Sequence, residues 1–272
     1  GAKGKGAGMR RVSLVLAAAS LLVACRQAPD RPADLLVYGQ VWTGDTARPR
    51  AAGVAVRGDT IVAVGSKRDV NRFRGPTTRV LDGGRGSVLP GFGDSHTHFV
   101  DGGFQVMSVD LRDADSPAEF ARRIAEFARR LPKGRWITGG DWDHERWPGA
   151  PLPRREWIDS VTPDNPVFVS RLDGHMGIAN SLALRLAGIT RASRAPTGGE
   201  IVRDAATGEP TGVLKDNASS AIWRAVPAPT AAETDNALAM ALRHAAGLGV
   251  TTVHVMGSWG DLAALKRARA RN

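Results

Sequence analysis

The feature that most constrains this chain is the run Val88-Leu89-Pro90-Gly91-Phe92-Gly93-Asp94-Ser95-His96-Thr97-His98. In an extended strand, residues two apart point to one side, so His96 and His98 present two imidazoles together while Thr97 faces away. Imidazole suits Zn²⁺ and related divalent metals, and a catalytic site leaves some coordination positions open for water. Asp94 falls on the same side, where its carboxylate can accept from a histidine ring and orient it from outside the ligand set. A bare His-x-His occurs often by chance, and for the triplet alone surface or core histidines are the better explanation. The surroundings have to decide.

Those surroundings are ordered. Residues 34–89 read as a small β module: Leu35 to Trp42 is apolar and Val-rich, and Val54-Ala55-Val56 and Ile61-Val62-Ala63-Val64 flank the turn pair Gly58-Asp59. Beyond the histidines, Ser116 as N-cap, Pro117 at the first helical position and Glu119 as capping-box partner predict a helix with Phe120, Ile124, Phe127 and Leu131 on its buried face. A second helix starts at Thr230 with Glu233 as partner and stops near Gly247-Leu248-Gly249, directly before the β-branched run Val250 to Val255. Ser258 or Asp261 then opens a third. A helix feeding a continuously apolar strand belongs to an α/β layer architecture.

The 272 residues are 42% apolar and 24% charged, the composition of a folded globular protein. Residues 1–8 read as an extension upstream of Met9. Arg10 and Arg11 followed by the uncharged stretch Val12 to Ala24 have the form of a secretory signal at residues 9–25, too short for the roughly 20 residues of a spanning helix. Its end, Leu22-Val23-Ala24-Cys25, resembles the lipobox of bacterial lipoproteins, which implies lipidation of Cys25, the sole cysteine. Residues 26–33 then form a tether, and Arg26 after the cysteine implies an outer-membrane anchor facing the periplasm. An ordinary cleaved signal with an incidental cysteine is the alternative. Cleavage would remove Lys3, Lys5, Arg10 and Arg11 and lower the formal charge from +10 to +6. Arg122, Arg123, Arg129 and Arg130 share a helix face without aromatic interleaving, which reads as a solvated face and argues against a nucleic-acid partner.

The run Pro-Gly-Phe-x-Asp-x-His-x-His after a small β module resembles the first barrel strand of the amidohydrolase superfamily. Further segments narrow the resemblance to amidohydrolase family 3, the group of N-substituted formamide deformylase-like enzymes. These are Gly139 to Asp143, Pro166 to Val169, Asp173-Gly174-His175 with Asn180 to Leu184, Gly208 to Leu214, and Gly249 to His254, in that family's order. The resemblance implies a partial (β/α)₈ TIM-type barrel over residues 90–272, with a small N-terminal β-sandwich module at 34–89 and an α/β insertion at about 100–235. It implies a divalent metal, Zn²⁺ first, as one or two ions bound by His96 and His98, and hydrolysis of non-peptide C–N bonds in a small amide-type substrate.

Within the insertion, Asp141, Trp142, His175 and Asn180 are the substrate-pocket candidates; Trp142 equally suits packing, and Asn180 equally suits capping the helix through Leu184. Lys215 precedes the strand after which the family's ligand lysine lies and is not expected to bind metal. His254 ends a strand and can face the pocket, whereas His144 and His244 read as surface and helix histidines. The family's lysine, two later histidines and terminal aspartate have no counterparts, so the expectation is an N-terminal fragment, inactive alone and without an identified base. The competing expectation is a non-catalytic, lipid-anchored binding protein derived from an amidohydrolase.

Overall fold

The computed structural model describes residues 31–271, so the signal segment, Cys25 and most of the tether lie outside the described residues. The chain divides into two compact units between Gly91 and Phe92.

The first unit is one four-stranded sheet. Strands β1 (Leu35–Trp42), β2 (Arg50–Arg57), β3 (Thr60–Gly65) and β4 (Arg79–Val88) lie in the order β3-β2-β1-β4. The Gly58-Asp59 pair joins the β2–β3 hairpin as read from the sequence, and β1 runs parallel to β4. Helix α1 (Lys67–Asn71), opened by a Ser66–Asp69 capping box, lays Val70 onto Leu36, Tyr38 and Ala55. The expected sandwich is corrected by these positions. Among the described residues no second sheet covers the first, and β4 is exposed at nearly every position. The helix escaped the sequence reading because five residues carry no periodicity.

The second unit begins with β5 (Phe92–Thr97), followed by α2 (Phe99–Met107), for which His98 is the N-cap position. There follow β6 (Val109–Asp110), α3 (Pro117–Ala128), β7 (Gly139–Trp142), α4 (Glu156–Asp159), β8 (Phe168–Arg171) and β9 (Met176–Ala179). Then come α5 (Ser181–Leu186), β10 (Gly199–Arg203), β11 (Pro210–Asp216), α6 (Ser220–Ala225), α7 (Ala231–Gly247), β12 (Val250–Val255) and α8 (Trp259–Ala270). Strands β6 to β11 make a six-stranded mixed sheet in the order β10-β11-β9-β8-β7-β6, covered by two buried clusters, one around Phe120, Ile124 and Trp142 and one around Phe168, Leu184 and Leu214. The segment expected as a pocket-shaping insertion therefore has a core of its own.

The capping chemistry reads through with one exception. Thr230 and Ser258 form complete boxes with Glu233 and Asp261. Ser116 accepts from the Glu119 amide, but the Glu119 carboxylate turns instead to Arg122 and Arg123, two strong charge-assisted donors. Those pairs, with Glu126 and Asp113, neutralise part of the basic face.

Strand β5 pairs in parallel with β12, and α2 and α7 pack against each other behind them around Val100, Ala237, Leu238 and Ala264. Gly103 sets the helix approach: a Cβ placed there would lie 2.0 Å from the Ala237 carbonyl oxygen. Its neighbour Gly102 faces open space. Gly103→Ala is expected to destabilise the chain by about 1–3 kcal/mol through overpacking. Gly102→Ala should stabilise it by roughly 0.5–1 kcal/mol through helix propensity. Paired urea titrations read both signs.

Candidate functional site

His96 is the penultimate residue of β5, and His98 follows the strand at the turn into α2. Both side chains are exposed, and their ring centroids are 5.8 Å apart. Two imidazoles on one tetrahedral Zn²⁺, with Zn–N bonds of about 2.1 Å, place their centroids roughly 5 Å apart. A small ring movement meets that requirement, so the pair fits two positions of a divalent ion's ligand shell. Asp94 accepts from the backbone N–H of His96 at 3.0 Å, and its described partner is thus the main chain rather than an imidazole ring. Asp101 lies 3.9 Å from Nδ1 of His98. The Thr97 hydroxyl donates to the His254 carbonyl at 3.1 Å, locking β5 to β12, while the His254 ring is exposed. Among the described residues no group of three or more His, Cys, Asp or Glu side chains is placed to share one ion.

Next to His98 opens a cleft of about 540 Å³ between α2, α7 and the start of the six-stranded sheet. Its polar lining includes His98, Gln105, Asp110, Arg112, Asp141 and His244. Asp141 gets there by an unusual backbone path: Gly139, Gly140 and Asp141 all have positive φ, at 88°, 109° and 58°. A Cβ at Gly139 would meet the Ser108 side chain at 2.2 Å, and one at Gly140 would meet Val169 at 2.9 Å, so only glycine fits at either position. A non-glycine residue in the left-handed region costs about 1–3 kcal/mol. Two donors hold Asp141 against that cost: the Gln105 side-chain amide and Arg112, whose guanidinium donates at 2.7 Å. The same carboxylate pushes the Arg112 pKa above its ordinary value, chiefly through that hydrogen bond.

The other pocket candidates go elsewhere. Trp142 alternates to the opposite face of β7 from Asp141 and is fully buried. Its indole N–H donates to the Val169 carbonyl at 2.9 Å, and its ring packs against Phe120 and Trp147, which corrects the pocket assignment to core. Asn180 is also buried and consumed by structure. Its Oδ1 accepts from the amides of Val167 and Ala183, and its Nδ2 donates to Thr162 and Asn165. It therefore caps α5 and ties β8 and α4 to it, the alternative that its sequence position allowed.

His175 stands outside the cleft, just before β9, with Nδ1 2.9 Å from Asp216. Asp216 ends β11 in another positive-φ conformation, at 46°. The strand directions bring Asp110, Asp141, Arg171, His175 and Asp216 to one end of the sheet, because β6, β7, β8 and β11 all point that way. Lys215 is occupied by Glu200 at 2.8 Å. Gln105 and Arg112 have no place in the sequence reading, whereas His244, read as a helix histidine, lies on α7 and also lines the cleft. The available signals were a single amide in an apolar helix and an arginine two residues past a short strand.

A profile of the Amidohydrolase family matches residues 79–272. The Arabidopsis thaliana protein LONG AFTER FAR-RED 3 is 39% identical over 228 residues, covering 84% of this chain and 39% of its own length. The N-substituted formamide deformylase of Arthrobacter pascens is 34% identical over 193 residues, 70% of this chain and 35% of the relative. Among solved structures, a metal-dependent hydrolase from Pyrococcus furiosus superposes with a TM-score of 0.63 at 23% identity, covering 87% of this chain and 47% of that one. The chain thus spans less than half the length of the relatives it matches.

Asn180→Ala is expected to cost about 1–3 kcal/mol in a denaturant titration, because several buried groups lose their partner at once. The Asp216 hydrogen bond, with its charge, raises the His175 pKa above the ordinary value of about 6.5. That pairing stabilises the folded chain below the ordinary histidine pKa, and the contribution disappears as pH rises through the raised value. An NMR titration of the His175 ring should show the upward shift and its loss in Asp216→Asn.

Proposed function

The chain belongs to the amidohydrolase family and has the fold of metal-dependent hydrolases, and from that premise we propose that it supplies the His96–His98 limb of a hydrolase acting on non-peptide C–N bonds of small amide-type substrates. The observation that carries the proposal is a pair of exposed imidazoles a small ring movement from ligand spacing, of which His98 lines the wall of a ligand-sized cleft. His96 and His98 would hold the ion, Zn²⁺ first among the candidates. When bound, a divalent ion of this kind activates water as a nucleophile near neutral pH.

The chain's own groups prepare the site. Asp94 fixes the backbone at His96, and the Thr97–His254 bond fixes the strand that carries both ligands. The cleft offers apolar surface from Phe99, Val106 and Val109 for the body of a substrate, with Gln105, Arg112 and Asp141 to orient its polar groups. Two imidazoles fall one short of the three protein ligands usual in catalytic zinc sites, so this chain by itself should hold metal weakly and be inactive alone. The lipidated Cys25 and an outer-membrane, periplasm-facing location extend the proposal from the sequence.

Equilibrium dialysis against Zn²⁺ or Co²⁺ with elemental analysis, run beside hydrolysis assays on N-substituted formamides and N-acyl amines, tests the reading. Metal uptake should fall in His96→Ala and again in the double variant with His98→Ala, without loss of the folded-state circular dichroism. Uptake unchanged in the double variant would remove these residues from the metal site.

A further inference from the structure

The Asp141 clamp leaves one hydrogen-bonding capacity in the cleft unfilled. Arg112 gives one N–H of NH2 to Asp141, and among the described residues no protein acceptor meets its Nε or NH1. Its side chain is 59% exposed, whereas that of Asp141 is 23% exposed, so the clamp is the sheltered partner and the guanidinium the presented one. The neighbouring Asp110 carboxylate accepts the Arg112 backbone amide at 3.1 Å, and its charge joins that of Asp141 in raising the Arg112 pKa.

An arginine gripped on one side by a carboxylate and open on the other is a pre-organised fork. Its planar donors match a carboxylate in two parallel hydrogen bonds, a geometry lysine cannot reproduce. The backbone supports the same assignment. Within β7 the positive φ of Asp141 is costly for a non-glycine residue, and its result is to deliver the Asp141 carboxylate to Arg112 and Gln105. Phe99, Val106 and Val109 give the wall its apolar part, and a volume of about 540 Å³ lies within the small-molecule range of about 300–1,000 Å³.

We propose that Arg112, clamped by Asp141, binds a carboxylate on the ligand of this cleft, so that the site selects small amides that carry an acidic group, with N-acyl amino acids as the representative class. Arg112 is here a specificity-determining residue, and Asp141 positions it. The amide part of the assignment rests on the hydrolase reading; the carboxylate part does not.

Isothermal titration of this chain with N-acetyl-L-leucine and with its uncharged counterpart N-acetyl-L-leucinamide tests the assignment. The acid is expected to bind about tenfold more tightly, as a charge-assisted bidentate pair would give. Arg112→Met should erase the preference for the acid over N-acetyl-L-leucinamide. Arg112→Lys, which keeps the charge without the fork, should retain only part of it, and it carries the test if the methionine variant fails to fold. Asp141→Asn should weaken acid binding more than amide binding. Equal affinity for the two probes, a preference that survives in Arg112→Met, or no binding of either probe at millimolar concentration would each overturn the proposal. The readout needs no turnover. Acid preference without metal uptake that depends on His96 and His98 counts against the hydrolase reading alone, and such uptake without acid preference counts against this one alone.

Discussion

The approach of α2 to α7 at Gly103 is the contact on which the candidate site depends. His98 is the N-cap position of α2, and Gln105 lies on the same helix, so the place where α2 sits decides where a candidate ligand and one half of the Asp141 clamp sit. Helix α7 provides the facing wall with His244. A side chain at 103 would force these helices apart, because the interior is packed at crystal-like density and has no slack to absorb the added volume. The cleft is therefore a by-product of close packing between two helices, and its polar groups are mounted on rigid elements.

The six-stranded sheet adds a second constraint, one of direction. Four of its strands point one way, and their ends gather carboxylates, arginines and a histidine that would repel or desolvate one another anywhere else. The structure resolves this by pairing them locally: Arg112 with Asp141, Arg171 with Asp143 and Asp173, His175 with Asp216. Such exposed pairs contribute little stability individually. What they do is fix orientation, and at Asp141 and Asp216 they do so on backbones that non-glycine residues rarely adopt.

Local chemistry made much of this legible in the sequence. Caps at Thr230 and Ser258, the apolar face of α3, the β2–β3 turn and the strand at Val250 all follow from neighbours a few residues apart, and each is in place. Roles that depend on which face of an element meets which partner were not legible. Asp141 and Trp142 are adjacent and were both assigned to the pocket, yet strand alternation sends one to the cleft and the other to the core. Asn180 was ambiguous for a different reason, since an N-cap and a substrate contact ask for the same side chain. Arg112 and Gln105 matter only because Asp141 reaches them across 29 and 36 positions. No local pattern encodes such a meeting.

The Thr97–His254 hydrogen bond joins residues 157 positions apart. Chain-closure entropy opposes a contact of that span until the intervening segment has become compact. That segment holds the six-stranded sheet, whose hairpins and short crossovers are far more local and can assemble first. The strand bearing His96 and His98 is therefore held by a neighbour far away in sequence, and the placing of both histidines is a property of the whole unit rather than of the run that contains them.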